Sequence, residues 1–416
     1  MVDWFTGGAA DVARDWARSG LLPLTGHPNG SPLVPHGAAP TFAARLGDHI
    51  GAAGGPGAAL DAGLLLAERA ALTGRRRGGR RSVGGSCHLL PTRDGWAAVS
   101  LARPDDPLLW SALTGEEMEP SEVLPRLGRW LAEHDGSELD KRAELLGVAG
   151  GAVRTDAHRM PLPPGRPCSV RGLLVVDFSA LWAGPLCAHL LGLAGATVVK
   201  VETPTRPDGA RRGCPAFYDL LHAGHCSVVL DPADPAGRRA LRALVRRADV
   251  VIEASRPRAL AGFGLSAQEE VARGCTWVSI TALGRDSQRV GFGDDVASSR
   301  GLLATDADGA PVFCGDAVAD PLTGLLAAAL VMSEPEGGGR LLDVAMADVV
   351  SAALALPGLP QEGATVIAGG DSGWVLNTGS GRVPVAGPTP RTPVARAAAS
   401  GADTADVLRR LGVPRP

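Results

Sequence analysis

No Cys-x-x-Cys pair occurs among the seven cysteines, at 87, 168, 187, 214, 226, 275 and 314. An odd, scattered set argues against a disulfide framework or a zinc site and fits a reducing cytoplasm. No run approaches the ~18 apolar residues that a bilayer span takes, so no membrane partner is expected. The opening MVDWFTGGAADVARD lacks the basic-then-apolar order of a signal peptide, so a cytoplasmic location is expected. Neither sign of charge dominates. The net charge of −3 gives no general attraction for nucleic acid or anionic lipid. Lysine is scarce while alanine, glycine and arginine abound, a composition typical of a GC-rich bacterial genome. What remains is an ordinary globular composition, 45% hydrophobic and 20% charged. The 416 residues are enough for two domains at ~150 residues each.

The most informative stretch is 173–202, LLVVDFSALWAGPLCAHLLGLAGATVVKVE. An apolar run ends at Asp177, and a tight turn follows at Ala183-Gly184-Pro185. A helical apolar pattern then runs to Leu193 and stops near Gly195, before a β-branched run ending in Lys200 and Glu202. This is a strand, turn, helix and strand, one βαβ unit of a parallel sheet. The loops after such strands form ligand crevices. The turn has no Gly-x-Gly-x-x-Gly, so it is not a dinucleotide fingerprint.

Downstream, strands are expected at 227–230, 249–253 and 276–281, and helices at 238–248, 266–273, 324–332 and 342–354. Alternation of this kind predicts an open α/β sheet over 170–355. The first half differs. Residues 1–80 read as Ala-rich helix and end in the basic loop RRRGGRR at 75–81. Arginines without interleaved aromatics predict a solvated loop and no nucleic-acid partner. Residues 85–153 read as a smaller α/β domain with two short strands around the Asp94-Gly95 turn. Residues 154–169 are a Pro-rich linker, and 356–416 are loop-rich up to a helix at 404–411. A faint repeat joins 19–72 to 300–354: both order Gly-Leu-Leu, an Asp/Asn-Gly turn, Pro-Leu or Pro-Val-type residues, a helix, Leu-Asp and a second helix. The shared order of these features points to a duplication in which the first copy has degenerated.

These motifs together resemble the class III CoA-transferases, the CaiB/BaiF-type family. The resemblance rests on the strand 175–179, the turn Ala183-Gly184-Pro185 and Lys200-Val201-Glu202. It continues through Ser227 to Asp231, Glu253 to Pro257, Gly264-Leu265, Ser279 to Gly284, Val318 to Gly324 and Gly337 to Val344. It implies a Rossmann-like, mostly parallel sheet domain with a smaller α/β domain. In the family the small domain follows the sheet. Here residues 89–153 resemble that domain but precede it, and 401–413 resemble the family's closing helix. The order therefore looks permuted.

The resemblance also implies an activity: exchange of CoA between an acyl-CoA and a carboxylic acid acceptor, through an aspartyl-CoA thioester. The family position falls on Asp320, which Pro321 would place at a helix N-cap. No resident cofactor or metal is implied, because carboxylate attack exchanges one activated acyl group for another. Carried over as CoA contacts are Leu181, Ala183, Gly184, Lys200, Arg211, Arg212 and Arg256, with Arg258 a further cation. His225 joins them from a stretch, 222–227, where the family has phosphate partners. A homodimer is implied as well. Two alternatives stay open. An α-branched acyl-CoA racemase would use a His that 291–295 lack, unless Asp294 or Asp295 replaced it. A non-catalytic CoA- or partner-binding homologue would account for the missing basic residues.

Overall fold

In a computed structural model, residues 9–154, 160–255, 257–335, 339–360, 363–369 and 373–414 are described. Six parallel strands form the central sheet, Leu174–Asp177, Thr197–Glu202, Cys226–Val229, Val250–Glu253, Thr276–Thr281 and Arg340–Ala345. Their spatial order is 340–345, 276–281, 250–253, 174–177, 197–202, 226–229. Numbered along the chain this is 6-5-4-1-2-3, the doubly wound order. The order reverses between 174–177 and 250–253, which pair in parallel through Val175–Val250 and Val176–Val251.

Both faces of the sheet are buried, which is why its strands read as nearly continuous apolar runs. Val175, Val198, Val250, Ile252 and Val278 pack into one core layer, with the helices Ala183–Leu193 and Ala319–Val331. Val176, Val199, Val251 and Trp277 pack into the other, with the helix Pro235–Val245 and the tail helix Thr404–Arg410. The tail helix also covers the sheet's edge. Asp403 Oδ2 accepts from Ser227 N at 2.8 Å, and Thr404 Oγ1 accepts from Val229 N at 3.1 Å. An edge strand left bare would be a template for pairing with another chain.

The N-terminal helices do not stand apart. Trp16, Phe42, Leu46, Ile50 and Leu65 lie in the same apolar layer as Leu186, Leu322 and Leu326. Residues 87–152 instead gather their own core around Val99, Trp110, Leu127 and Leu139. There Cys87–Thr92 and Gly95–Ser100 pair antiparallel around the Asp94-Gly95 turn, and Gly150–Ala152 adds a third strand.

Three local expectations change. The helix expected over 342–354 is a strand, Arg340–Ala345, followed by the helix Met346–Ala355. The registered neighbour 276–281 captures this segment as the edge strand, and Leu342 and Val344 turn inward while Leu341 is exposed. The region after 356 is less loop-rich than expected, since Thr365–Gly369, Gly373–Thr378 and Gly381–Val385 form a small antiparallel sheet. The helix Pro215–His222 was not foreseen at all.

Candidate active site

A cleft of about 250 Å³ opens at the C-terminal ends of the sheet strands. Leu181 and Ala183 line it after the first strand, Ser255 after the fourth, Thr281 after the fifth and Met346 after the sixth. Asp320 lies in its wall. The cleft therefore sits at the topological switch point, where open α/β sheets bind their ligands. Arg103 reaches it from the small domain, and Arg289 from the loop beyond the fifth strand.

Asp320 is not the N-cap. The helix begins at Ala319, capped by Val318, so Asp320 is its second residue and Pro321 its third. The helix dipole still favours a charged carboxylate in this first turn. Other forces oppose it. Burial, with Asp294 and Asp316 nearby, pushes the Asp320 carboxyl up to about 7, against Arg69 and a backbone hydrogen bond from Gly293. A side chain on Gly293 would meet Asp320 Oδ2 at 2.5 Å and Ala317 O at 2.5 Å, so only glycine lets this backbone approach. Ala317, at φ 48°, holds a left-handed turn that few L-residues adopt. Strain of this kind next to a reactive carboxylate persists only where the surroundings over-determine it.

Asp294 and Asp295 sit in the first turn of the helix Gly293–Ser299. Asp295 caps it by accepting from Phe292 N at 2.8 Å. Asp294 instead accepts from Ala317 N at 2.8 Å and so braces the turn before Asp320. Neither lines the cleft. Burial pushes Asp294 up to about 6 and Asp295 up to about 8, the first helped by Asp316 and the second by Asp294. Such carboxyls hold protons more tightly in the folded chain than in the unfolded one. Stability therefore falls as pH rises from the ordinary carboxylate value toward about 8. Asp295→Asn keeps the acceptor for Phe292 N and removes this penalty. It should be more stable than wild type by roughly 1–3 kcal/mol near pH 9 and converge with it near pH 4, read by thermal melts across pH.

The expected CoA contacts divide. Leu181 is 44% exposed with φ 72°, and Ala183 lies beside it on the cleft wall. Gly184 is buried under Ser179. A Cβ there would overlap the Ser179 side chain, so this glycine serves the packing of turn on helix. Lys200 does not reach the cleft. It is 2% exposed, 3.1 Å from Asp208 Oδ2 and 3.6 Å from Asp177 Oδ2, and it donates to Ser179 O. Burial pulls its proton affinity down, but Asp177 and Asp208 outweigh that and leave it raised. Asp208 in turn accepts from Leu181 N at 3.0 Å, so Lys200 acts on the cleft by fixing its strained rim.

Arg211 is committed to Glu202, with Nε 2.9 Å from Oε1 and Nη2 2.6 Å from Oε2, and stacks on Tyr218 at 4.6 Å. Arg212 is exposed on the same turn. His225 is buried with His189 and His222, ring centroids 6.2 and 5.5 Å away, and it does not line the cleft. Burial, then the neighbouring imidazoles, lower its proton affinity well below the ordinary value. Arg256 and the Arg258 side chain lie outside the described residues. The sequence reading missed Arg69, Asp316, Arg103 and Arg289. Their roles arise from contacts between segments distant in sequence.

Residues 170–371 match the model of CoA-transferase family III. This segment belongs to CoA-transferase family III. The family III segment carries the whole cleft wall except Arg103. Two curated relatives agree. A succinate–glutarate CoA-transferase of Agrobacterium fabrum is 33% identical over 217 residues, covering 46% of this chain and 54% of the relative. A formyl-CoA:oxalate CoA-transferase of Escherichia coli is 28% identical over 200 residues, covering 44% and 48%. The chain thus spans about half the length of the curated relatives it matches. Among solved structures, a CaiB/BaiF family protein from Brucella suis is similar, with 27% identity and a TM-score of 0.45 over 51% of this chain and 66% of that one. No helix among the described residues is long and apolar enough to cross a membrane.

Proposed function

We propose that the protein transfers CoA between carboxylic acids, with Asp320 as nucleophile. The observation that carries this reading is the place of Asp320. It is a carboxyl of near-neutral proton affinity, in a helix first turn, in the wall of the switch-point cleft. A carboxylate Oδ of Asp320 attacks the thioester carbonyl carbon, and the carbon–sulfur bond breaks to release CoA thiolate. The thiolate then attacks the aspartyl carbonyl of the mixed anhydride and expels the donor acid as its carboxylate. This leaves an aspartyl-CoA thioester. The acceptor carboxylate reverses the two steps and leaves as acyl-CoA. Each step exchanges one acyl bond for another, with no net proton or electron change. Its raised proton affinity makes Asp320, once ionised, a more basic and so stronger nucleophile than an ordinary carboxylate.

A binding-only homologue has one observation in its favour. Lys200 and Arg211 are spent on internal ion pairs, so neither is free for CoA phosphates. The racemase reading has no such support, since Asp294 and Asp295 do not line the cleft. Incubation with a panel of acyl-CoAs plus hydroxylamine or borohydride, followed by mass spectrometry, should find the trapped product on Asp320. Tight CoA binding without an adduct for any donor would leave the binding-only reading. Deuterium wash-in at the α-carbon without acyl exchange would indicate the racemase.

A further inference from the structure

Asp294, Asp295, Asp316 and Asp320 crowd the starts of two helices, and the first residue to answer them comes from far away in sequence. Arg69 is the second residue of the helix Glu68–Thr73 in the N-terminal segment, outside the family-matched residues. Its Nε lies 2.8 Å from Asp316 Oδ2 and its Nη2 2.5 Å from Asp316 Oδ1. Asp316 is fully buried. The guanidinium is also stacked on Trp182, 4.7 Å from the ring centroid, beside the cleft-lining Leu181. A two-bond fork with an aromatic lid fixes the cation in one orientation.

The loop after this helix completes the enclosure. Gly84 is so placed that a methyl group there would lie 3.4 Å from Asp294 Oδ2 and 3.6 Å from Arg69 Nη2. Arg75 Nη1 is the next neighbour, at 3.7 Å. Ser82 hydrogen-bonds Asp294. Cys87 faces Asp294 and Asp295 as a buried thiol whose proton affinity is pushed well up, first by burial and then by their charge. The charge of Arg289 also acts on Asp295 and favours its ionised form.

We propose that Arg69 is a positioning residue, which anchors Asp316 and supplies the positive charge that holds Asp320 in its charged, attacking form. The inference rests on the proposed role of Asp320, but its mechanism is electrostatic and can be read without turnover. Four aspartates in one pocket cannot all ionise without a cation among them. The field that Arg69 exerts on Asp320 is opposed to burial and to the fields of Asp294 and Asp316. A segment that contributes no cleft wall would thereby set the chemistry of the cleft.

The test is an infrared difference titration of the protonated carboxyl C=O band, wild type minus Asp320→Asn. The wild-type midpoint should fall near 7. Arg69→Met should raise it by at least about one pH unit, a tenfold gain in proton affinity. Arg69→Gln, which keeps a donor for Asp316 and most of the volume, should shift it likewise if the Met variant does not fold. Glu68→Gln is the control on the same helix, because Glu68 pairs with Arg391 at 2.8 and 2.9 Å and touches none of the aspartates. It should leave the midpoint in place. An unchanged midpoint in a folded Arg69 variant, or an equal shift in Glu68→Gln, overturns the proposal. A shifted midpoint in a protein that transfers no CoA would uphold Arg69 and sink the proposed function instead.

Discussion

Replacing Asp320 by Asn is expected to lower CoA transfer by about a thousandfold or more while making the folded protein more stable at neutral pH. Asn keeps the shape, the place in the helix and an acceptor for the Gly293 hydrogen bond. What it loses is the attacking oxygen. The two effects have one origin. A carboxyl pushed up to about 7 by burial and by like charges is held in the folded chain at a cost whenever it is ionised. Removing the charge removes that cost above pH 7, by about 1–2 kcal/mol. The gain should vanish near pH 4, where wild-type Asp320 is protonated. Urea unfolding at both pH values, beside transfer assays, reads both effects. A variant that transfers CoA at more than a tenth of the wild-type rate would show that the nucleophile lies elsewhere. This is the trade between activity and stability expected of a reactive group kept in a hostile place.

The second large effect is expected at Lys200. Lys200→Met should destabilise the chain by about 3–5 kcal/mol, the cost of stranding buried charges without their partner. The methyl thioether fills similar space, so packing contributes little of this. Asp177 and Asp208 would be left facing each other in the core, with Asp208 still bonded to Leu181 N. Pairing the change with Asp208→Asn should recover part of the loss. Chemical denaturation of the three variants and wild type gives the coupling directly. If Lys200→Met alone costs less than about 1 kcal/mol, the ion cluster does not hold the rim of the cleft.

The sheet was legible because its signals are local. The continuous apolar run ending at Asp177, and the turn at 183–185, show within a few residues. The edge strand 340–345 was misread because its leucines suit a helix equally, and only the neighbour at 276–281 decides between them. The placement of Asp320 near a helix start was legible through the ordered motifs around it. Its cap position was not, because Ala319 extends the helix one residue upstream of the expected start. Lys200 was expected as a CoA contact, carried over with the family resemblance. The acids that bury it come from 177 and 208, and nothing in a one-dimensional pattern pairs them. Arg69 was invisible for the same reason, since Asp316 lies 247 positions further along the chain.

Lys200 is one of only two lysines in the chain, and the other, Lys141, is exposed. An amine-directed reagent should therefore find Lys141 at once and Lys200 only when the sheet's central layer opens. The buried ammonium is a built-in label for that event. Its rate of modification would time the exposure of the cleft's foundations, with Lys141 as the internal reference for free access.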